Sequence, residues 1–257
     1  MQPTLFLSHG SPMMPFEDIP ARAFIASLGQ TLEKPKAILM VSAHWDSDVP
    51  TLTSGQDLGT IHDFYGFPPA LYQLTYPAHG APELAETIAD ALGDAGLRAH
   101  TDPSRGLDHG AWIPMMLMYP DAQIPVIQLS IQSRLGPGHH LELGRALAPL
   151  REQGMLIVAS GGFTHNLRAL DWRAKGDAPV WAEEFSDWMH QALMTNRTCD
   201  LVSYRRLAPH AAMAHPTDEH LLPLFVALGA AGPDASAQRL HTSATLGSLR
   251  LDAYAFN

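Results

Sequence analysis

Three histidines stand at or just beyond the ends of predicted buried strands. His9 follows the run "TLFLS", His44 ends "AILMVSAH", and His165 comes shortly after "GMLIVASGG". The carboxyl ends of parallel strands share one edge of a sheet, where ligands bind, so we expect these side chains to converge. His220 in "HPTDEH", in the first turn of a predicted helix, is a fourth candidate. Imidazole is a common ligand of zinc and of iron(II), and the pattern therefore indicates a metal site.

The spacing of these histidines leaves a second interpretation open. The sequence has no HExxH motif and no paired-cysteine spacing, so the metal site depends on the expected convergence of the strand ends. Two histidines and a carboxylate would hold iron(II) with open positions for substrate and dioxygen, and three or four histidines would hold zinc. In the alternative interpretation, His9 and His44 are buried, hydrogen-bonded residues that close their strands.

Two polar loops carry further histidines beside aromatic residues. The segment "TIHDFYGFP" at 60–68 contains His62, Phe64 and Tyr65, which we predict as substrate-binding residues because aromatic walls suit a flat ring. A lid packed on the core, with a loop-stabilising hydrogen bond from His62, is the structural alternative. In "GLDHGAW", His109 follows an aspartate. His109 or His165, if not bound to metal, can move protons to and from a substrate hydroxyl near neutral pH.

The elements that position these residues alternate between apolar runs and amphipathic segments. Strands are predicted at 4–7, 37–45, 124–131 and 154–162, and helices at 81–96, 139–154, 179–194 and 217–232. This alternation predicts an α/β fold with a largely parallel or mixed central sheet, flanked by helices, and with the metal site at the carboxyl edge of the strands. No linker or internal repeat interrupts it, so residues 1–257 are predicted to form one domain. The stretches 46–76 and 100–123 are predicted as long, site-building loops.

Composition narrows the classes of partner. The 257 residues carry a net charge of -10 and no basic run, which argues against nucleic acid and against an anionic membrane surface. The single cysteine, Cys199, excludes an intramolecular disulfide framework and fits a reducing compartment. Apolar runs are too short to span a bilayer, and Met1 leads almost directly into the first strand. We therefore expect a cytoplasmic protein.

Most of the other histidines, of fourteen in all, are predicted to lie outside the site. His139 and His140 begin a predicted helix and are expected to be solvated. Most of those in polar turns are expected at the surface. Among them His215 is the hardest to dismiss, because it stands five residues before His220.

Seven segments spread along the chain carry a resemblance to a known family. In order they are "LSHGSP", "VSAHW", "TIHDFYGFP", "DHGAW", "VIQLSI", "VASGGFTHNL" and "PTDEHLLPL". Together they closely resemble the class III extradiol ring-cleavage dioxygenases, in the branch similar to DOPA 4,5-dioxygenase. The resemblance runs from Leu5 to the "GSL" at 247–249.

The resemblance implies a specific chemistry. Members of this family use a nonheme iron(II) and dioxygen to open a catechol ring beside its two hydroxyls, and some carry zinc in the same pocket as isolated. The implied partners are a small catechol and dioxygen, in a monomer or homodimer. By motif, His9, His44 and His220 look like metal ligands, and His165 lies close enough to be a fourth. His109 of "DHGAW" looks like the acid–base histidine behind them.

Two assignments within the resemblance stay open. The protocatechuate-cleaving relatives complete their iron site with a glutamate from a C-terminal segment. In the matching segment this chain has Glu219 and His220 side by side, and we expect His220 to be the metal ligand. The histidine that matches His165 acts in those relatives as a base, so both roles stay open for it. Two other functions suit the same histidines: a zinc hydrolase that activates water, and a non-catalytic protein that binds metal or ligand in the same fold.

Overall fold

The computed structural model describes residues 1–174 and 176–257, which form an α/β fold around one large sheet. The strands are β1 (Thr4–Ser8), β2 (Ala37–Asp46), β3 (Thr51–Thr53), β4 (Asp57–Leu58), β5 (Ala78–His79), β6 (His100–Asp102), β7 (Val126–Ile131), β8 (Met155–Gly161), β9 (Ala237–His241), β10 (Ala244–Thr245), β11 (Leu249–Arg250) and β12 (Ala253–Phe256). The helices are α1 (Pro20–Thr31), α2 (Pro82–Asp94), α3 (His109–Met118), α4 (Gly136–Leu147), α5 (Val180–Met194), α6 (Thr198–Val202), α7 (Tyr204–Leu207), α8 (Ala211–Ala214) and α9 (Leu222–Ala231).

The central sheet is mixed, with a parallel middle. Its eight strands follow the order β6-β3-β7-β2-β8-β1-β12-β9. The four middle strands β7, β2, β8 and β1 are parallel to one another, whereas β12 runs antiparallel to β1 and β3 antiparallel to β7. The predicted α/β fold with a largely parallel or mixed sheet is confirmed. Because β2, β8 and β1 are adjacent and parallel, the residues at their carboxyl ends lie at one edge.

Helices cover both faces of the sheet. In β2, Leu39 packs toward the core formed with α2, α4, α5 and α9, and its neighbour Ile38 packs toward the core formed with α1 and α3. Successive side chains of a strand point to opposite faces, so a strand that is covered on both sides is apolar throughout. None of the described helices is both long and apolar enough to cross a membrane.

One predicted loop and the start of one predicted helix near the site are wrong. The stretch 100–123, predicted as a loop, contains the almost entirely buried helix α3. This helix has no polar face and carries Pro114 in its interior, so it lacks the amphipathic period that marks a surface helix. The helix predicted at 217–232 begins only at Leu222, because residues 217–221 form bends and turns. His220 therefore lies in a turn and not in a helix.

The expected surface positions of His140 and His215 are also wrong, since both residues are fully buried. His140 donates from Nδ1 to the Gly136 carbonyl at 2.7 Å and accepts at Nε2 from the Gln132 backbone N–H at 3.1 Å. His215 donates from Nε2 to the Phe163 carbonyl at 3.0 Å. Burial lowers the pKa of His140 to about 4 and that of His215 to about 3. Both are therefore neutral, hydrogen-bonded residues of the interior at pH 7.

Candidate metal centre

Three imidazole side chains meet at the carboxyl edge of the sheet. His9 directly follows β1, His44 lies near the end of β2, and His220 lies in the turn before α9. The Nε2 atom of His44 is 3.0 Å from Nε2 of His9 and 3.3 Å from Nε2 of His220. The structure thus brings together three of the four histidines that the sequence predicts as ligands, with one nitrogen of each ring pointing to a common centre.

The turn that carries His220 comes close to β8 because that strand ends in glycine. The backbone N–H of Gly162 donates to the His220 carbonyl at 2.9 Å. A Cβ atom on Gly161 would collide with the same carbonyl. The "SGG" that follows the apolar run of β8 therefore has a packing role: only a residue without a side chain lets the turn approach, and this approach sets His220 beside His9.

Each of two ligand candidates has its second ring nitrogen occupied. Ser160 Oγ lies 2.9 Å from Nδ1 of His9, and Glu219 Oε1 lies 3.1 Å from Nδ1 of His220. Since a carboxylate only accepts hydrogen bonds, Glu219 selects the tautomer of His220 that carries its proton on Nδ1. Its Nε2 lone pair is then free and directed at the centre, the arrangement typical of metal-binding histidines.

Burial keeps these imidazoles neutral. Only 3% of His9 and 5% of His220 is exposed, and burial, followed by the neighbouring histidines, holds the pKa of both well below the usual value. Burial likewise lowers the pKa of His44 to about 3. A neutral imidazole has a lone pair for a metal, and a tetrahedral ion with bonds of about 2.1 Å separates its ligand nitrogens by about 3.4 Å. The three histidines therefore fit a divalent transition-metal ion.

Asp63 joins a fourth histidine to this cluster. Its Oδ1 accepts from the backbone N–H of His109 at 2.8 Å, and its Oδ2 lies 2.9 Å from His109 Nδ1 and 3.6 Å from His44 Nδ1. Although burial acts in the opposite direction, the hydrogen bonds from His109 hold the pKa of the Asp63 carboxyl below its usual value. Asp63 is therefore ionised at pH 7. It fixes His109 with a proton on Nδ1 and a free lone pair on Nε2.

Helix α3 is anchored directly to β2, which fixes the distance between His109 and His44. The buried carboxylate of Asp108, just before the helix, accepts from Ser42 Oγ at 2.6 Å and from the side-chain amide of Gln128. A Cβ atom on Gly110 would lie 2.5 Å from Ser42 Oγ and 3.0 Å from a ring carbon of His44. The "DHG" sequence thus has a packing role. The ring centroids of the two histidines are 3.9 Å apart.

His165 stacks on His220 instead of pointing at the same centre. The two rings are nearly parallel, at 9°, with centroids 3.3 Å apart, and His165 Nδ1 lies 3.9 Å from Glu219 Oε1. The lone pair of an imidazole lies in its ring plane, so an ion in the plane of His220 lies outside that of His165. Burial lowers the pKa of His165 to about 4.

A pocket of about 360 Å³ opens onto the histidines. His9, His44, His109, His165 and His220 form its inner end. Apolar side chains form most of the remaining wall: Pro12, Phe67, Leu167, Leu170, Trp172, Leu246 and Leu249. A few convergent polar groups at the end of an apolar pocket are typical of a small-molecule site.

The three predicted substrate-binding residues are not part of the lining that the described residues form. His62 donates from Nε2 to the Leu74 carbonyl at 2.9 Å, which uses its polar end within the loop. Phe64 is buried in the core, and Tyr65 is 91% exposed. Phe67, from the same segment, lines the pocket in their place. Substrate contact by His62, Phe64 and Tyr65 stays a prediction, and the positions of His62 and Phe64 match the structural alternative.

The residues that orient the histidines were not assigned from the sequence. A carboxylate next to a histidine in "IHDF" is the signal that could have identified Asp63. Ser160 lies in a continuous apolar strand and has no such signal. The same is true of Leu246, which reaches the pocket from a turn near the C-terminal end of the chain.

The fold and the site together define a class: an α/β protein with a cluster of histidines that fits a metal ion, beside an apolar pocket. Comparisons with known proteins identify a family within this class. The family described as "Catalytic LigB subunit of aromatic ring-opening dioxygenase" matches residues 3–251. A 4,5-DOPA dioxygenase extradiol of Beta vulgaris is 46% identical over 98% of this chain and 96% of its own. One of Escherichia coli K12 is 40% identical over 89% of this chain and 84% of its own. A crystal structure of an uncharacterised Escherichia coli K12 protein matches with a TM-score of 0.83 and 33% identity over all of both chains.

The chain therefore belongs to the LigB family of aromatic ring-opening dioxygenases. It is an extradiol ring-cleaving dioxygenase, and hence an oxidoreductase, and the resemblance seen in its motifs is confirmed. The family implies a nonheme metal, which agrees with the donor set of the histidine cluster. These relatives give no support to the alternatives of a zinc hydrolase or a non-catalytic binding protein.

Proposed function

We propose that the protein opens the ring of a substituted catechol with dioxygen at an iron(II) ion held by His9, His44 and His220. The observation that carries this proposal is the convergence of three neutral imidazole nitrogens, at 3.0 and 3.3 Å, at the inner end of an apolar pocket. Relatives named 4,5-DOPA dioxygenase extradiol support a catechol as the substrate class. When bound, iron(II) lowers the pKa of the catechol hydroxyls and offers positions to both substrates.

His220, and not Glu219, is the third ligand in this proposal. Glu219 Oε1 lies beside Nδ1 of His220, on the side of the ring away from the Nε2 atom that faces His44. A carboxylate in this position makes the opposite nitrogen a stronger ligand. The parallel stacking of His165 on His220 supports an acid–base role for His165 instead of a place as fourth ligand.

His109 is the general base that takes a proton from the catechol. Its Nδ1 proton faces the Asp63 carboxylate at 2.9 Å, so the lone pair on Nε2 is available to a substrate hydroxyl in the pocket. When Nε2 takes this proton, the negative charge of Asp63 stabilises the imidazolium. One residue, Asp63, thus holds the ring of the base in place and fixes which of its nitrogens is free.

His165 is the second acid–base group. It lines the same pocket, and its pKa of about 4 keeps it neutral at pH 7, with one nitrogen able to donate and the other to accept. The apolar wall of Phe67, Leu170 and Trp172 holds the ring of the substrate by its faces and edges and keeps bulk water out.

The proposal is tested by loading the metal-free protein with iron(II) under nitrogen and measuring dioxygen consumption on a panel of catechols. We expect turnover and a yellow ring-opened product with iron, and no turnover with zinc. The spectrum of the product reports which bond opens. Activity that is equal with zinc, or absent on every catechol with iron, would contradict the assignment.

The proposal also covers the chain as a whole. Residues 1–257 act as one catalytic domain, as a monomer or homodimer in the cytoplasm, and Zn(II) is the ion we expect to compete with iron during isolation. One sheet runs through the described residues from β1 to β12, which supports a single unit. Sedimentation of the iron-loaded protein measures its oligomeric state, and a mass larger than two chains would contradict this part of the proposal.

A further inference from the structure

The turn that carries His220 has little regular structure of its own. Residues 216–221 form bends and turns between α8 and α9. A segment outside helices and strands pairs its backbone carbonyls with groups from elsewhere in the fold. At one end, the Gly162 backbone N–H donates to the His220 carbonyl at 2.9 Å. The position of the imidazole therefore also depends on the groups that hold the other end of the turn.

Arg205 in α7 holds that other end. Its Nη2 atom donates to the His215 carbonyl at 2.8 Å and to the Pro216 carbonyl at 3.4 Å. Its guanidinium also pairs with Oδ1 of Asp218, which accepts a further hydrogen bond from the Tyr204 hydroxyl at 2.8 Å. Because a guanidinium presents its N–H donors in a rigid plane, one side chain ties three positions of the turn to a single short helix.

Thr217, which lies between these anchored residues, holds the carboxylate behind His220. Its hydroxyl donates to Oε1 of Glu219 at 3.0 Å, and the same oxygen lies 3.1 Å from Nδ1 of His220. A carboxylate oxygen can accept two hydrogen bonds, so the two contacts coexist and together restrict rotation of the Glu219 side chain. Contacts thus run without a break from Arg205 through the turn to the ring of His220.

We propose that Arg205 is a positioning residue of the metal centre. It fixes the turn at 215–220, and thereby the direction of the Nε2 lone pair of His220, while Thr217 completes the support by orienting Glu219. A ligand that is held in place before the ion arrives loses less conformational freedom on binding, so such support raises metal affinity. This inference rests on the proposed function, since it takes His220 as a metal ligand.

The affinity for zinc(II) tests the inference without any turnover. Metal-free wild-type, Arg205→Gln and Arg206→Gln proteins are titrated with zinc(II) against a chromophoric chelator. Arg206 is the matched control, because it follows Arg205 in α7 and is also exposed. We expect the Kd for zinc to rise about tenfold in Arg205→Gln and to stay unchanged in Arg206→Gln. Equal Kd values in the two variants would overturn the inference.

A spectroscopic readout separates positioning from a general loss of stability. In the zinc-loaded protein, the Nδ1 proton of His220 faces Glu219 and that of His9 faces Ser160, and NMR detects both well below the Tm. We expect the His220 signal to shift or broaden in Arg205→Gln and the His9 signal to stay in place. A lowered Tm with both signals and the zinc affinity unchanged would make the role of Arg205 purely structural and refute the proposal.

A pair of substitutions at Thr217 tests the support of Glu219. Thr217→Val keeps the shape of the side chain but removes its hydroxyl, whereas Thr217→Ser keeps the hydroxyl, and the exposed position tolerates both. We expect zinc affinity to fall up to about tenfold in Thr217→Val and to match the wild type in Thr217→Ser. Equal affinities in these two variants would contradict the role given to Thr217.

Turnover distinguishes this inference from the proposed function. If Arg205→Gln binds zinc more weakly but the iron-loaded wild type opens no catechol, the proposed function fails and the positioning role stands. If the wild type opens catechols but Arg205→Gln binds zinc as tightly as Arg206→Gln, the proposed function stands and the positioning role fails.

Discussion

Replacement of Asp63 by asparagine removes the negative charge beside His109 while preserving the size of the side chain. In the native protein, one carboxylate receives two hydrogen bonds from His109, at 2.8 and 2.9 Å, and lies 3.6 Å from Nδ1 of His44. An asparagine can still accept from the backbone N–H. Its amide group, however, can turn its NH2 toward the His109 ring and thereby select the tautomer with the proton on the wrong nitrogen.

The expected decrease in kcat/KM follows from the loss of the hydrogen bond between Asp63 and the His109 ring. A hydrogen bond to a charged group contributes about 1.5–3 kcal/mol, and the contact between Asp63 and the His109 ring joins two charged groups once the ring has taken a proton. At about 1.4 kcal/mol per factor of ten, kcat/KM should fall by about 10- to 150-fold. A shift of the tautomer population adds to this loss.

The assay compares wild-type, Asp63→Asn and Asp57→Asn proteins after iron loading, with metal content and kcat/KM measured on the same samples. Asp57 is a matched control, because it lies 3.3 Å from the ring of His79 in an exposed pair at the surface. Asp57→Asn should leave both quantities unchanged. Because Asp63 has a lowered pKa and stays ionised, the loss in Asp63→Asn should persist across neutral pH.

Two outcomes would refute the reasoning on Asp63. If Asp63→Asn keeps kcat/KM within about twofold of the Asp57→Asn control, the carboxylate does not support the base. If the activity lost by Asp63→Asn only follows lost iron, the residue acts through His44 and not through His109.

Three further predictions concern the remaining histidines. His220→Ala should lose bound iron, whereas Glu219→Gln should keep it with about 10- to 100-fold weaker affinity, as equilibrium dialysis would show; the opposite pattern would make Glu219 the ligand. His109→Ala should keep near-normal iron and lose about 10²- to 10⁴-fold in kcat, and loss of metal in this variant would contradict its assignment as a base. His215 has a lowered pKa of about 3 when folded, so the unfolded chain binds the extra proton first and stability falls as pH drops below about 6.5. This residue alone should cost about 2 kcal/mol between pH 7 and pH 5, and urea unfolding of the metal-free protein should show a smaller loss for His215→Gln.

Strands that are buried on both faces could be predicted from the sequence, because each is one continuous apolar run. This holds for β2 and β8, whose predicted and observed ranges nearly coincide. Helix α5 was equally predictable from its amphipathic pattern. Helix α3 could not be predicted in this way. Its burial leaves it without a polar face, and a proline within a segment normally indicates the end of a helix. His140 and His215 were misjudged for a related reason: a buried and a solvated histidine look identical in sequence.

The sequence by itself determined the chemistry available at the site: imidazoles at the ends of successive apolar runs, and the motifs that mark the family. The tertiary structure decided how these groups are used. The order β2-β8-β1 brings His9 and His44 together although 34 residues separate them in the chain. Contacts across the fold then assign Asp63 to His109, stack His165 on His220 and line the pocket with Leu246. The physical reason is that residue types follow local backbone requirements, whereas ligand geometry, tautomers and pKa values depend on neighbours that only folding brings into contact.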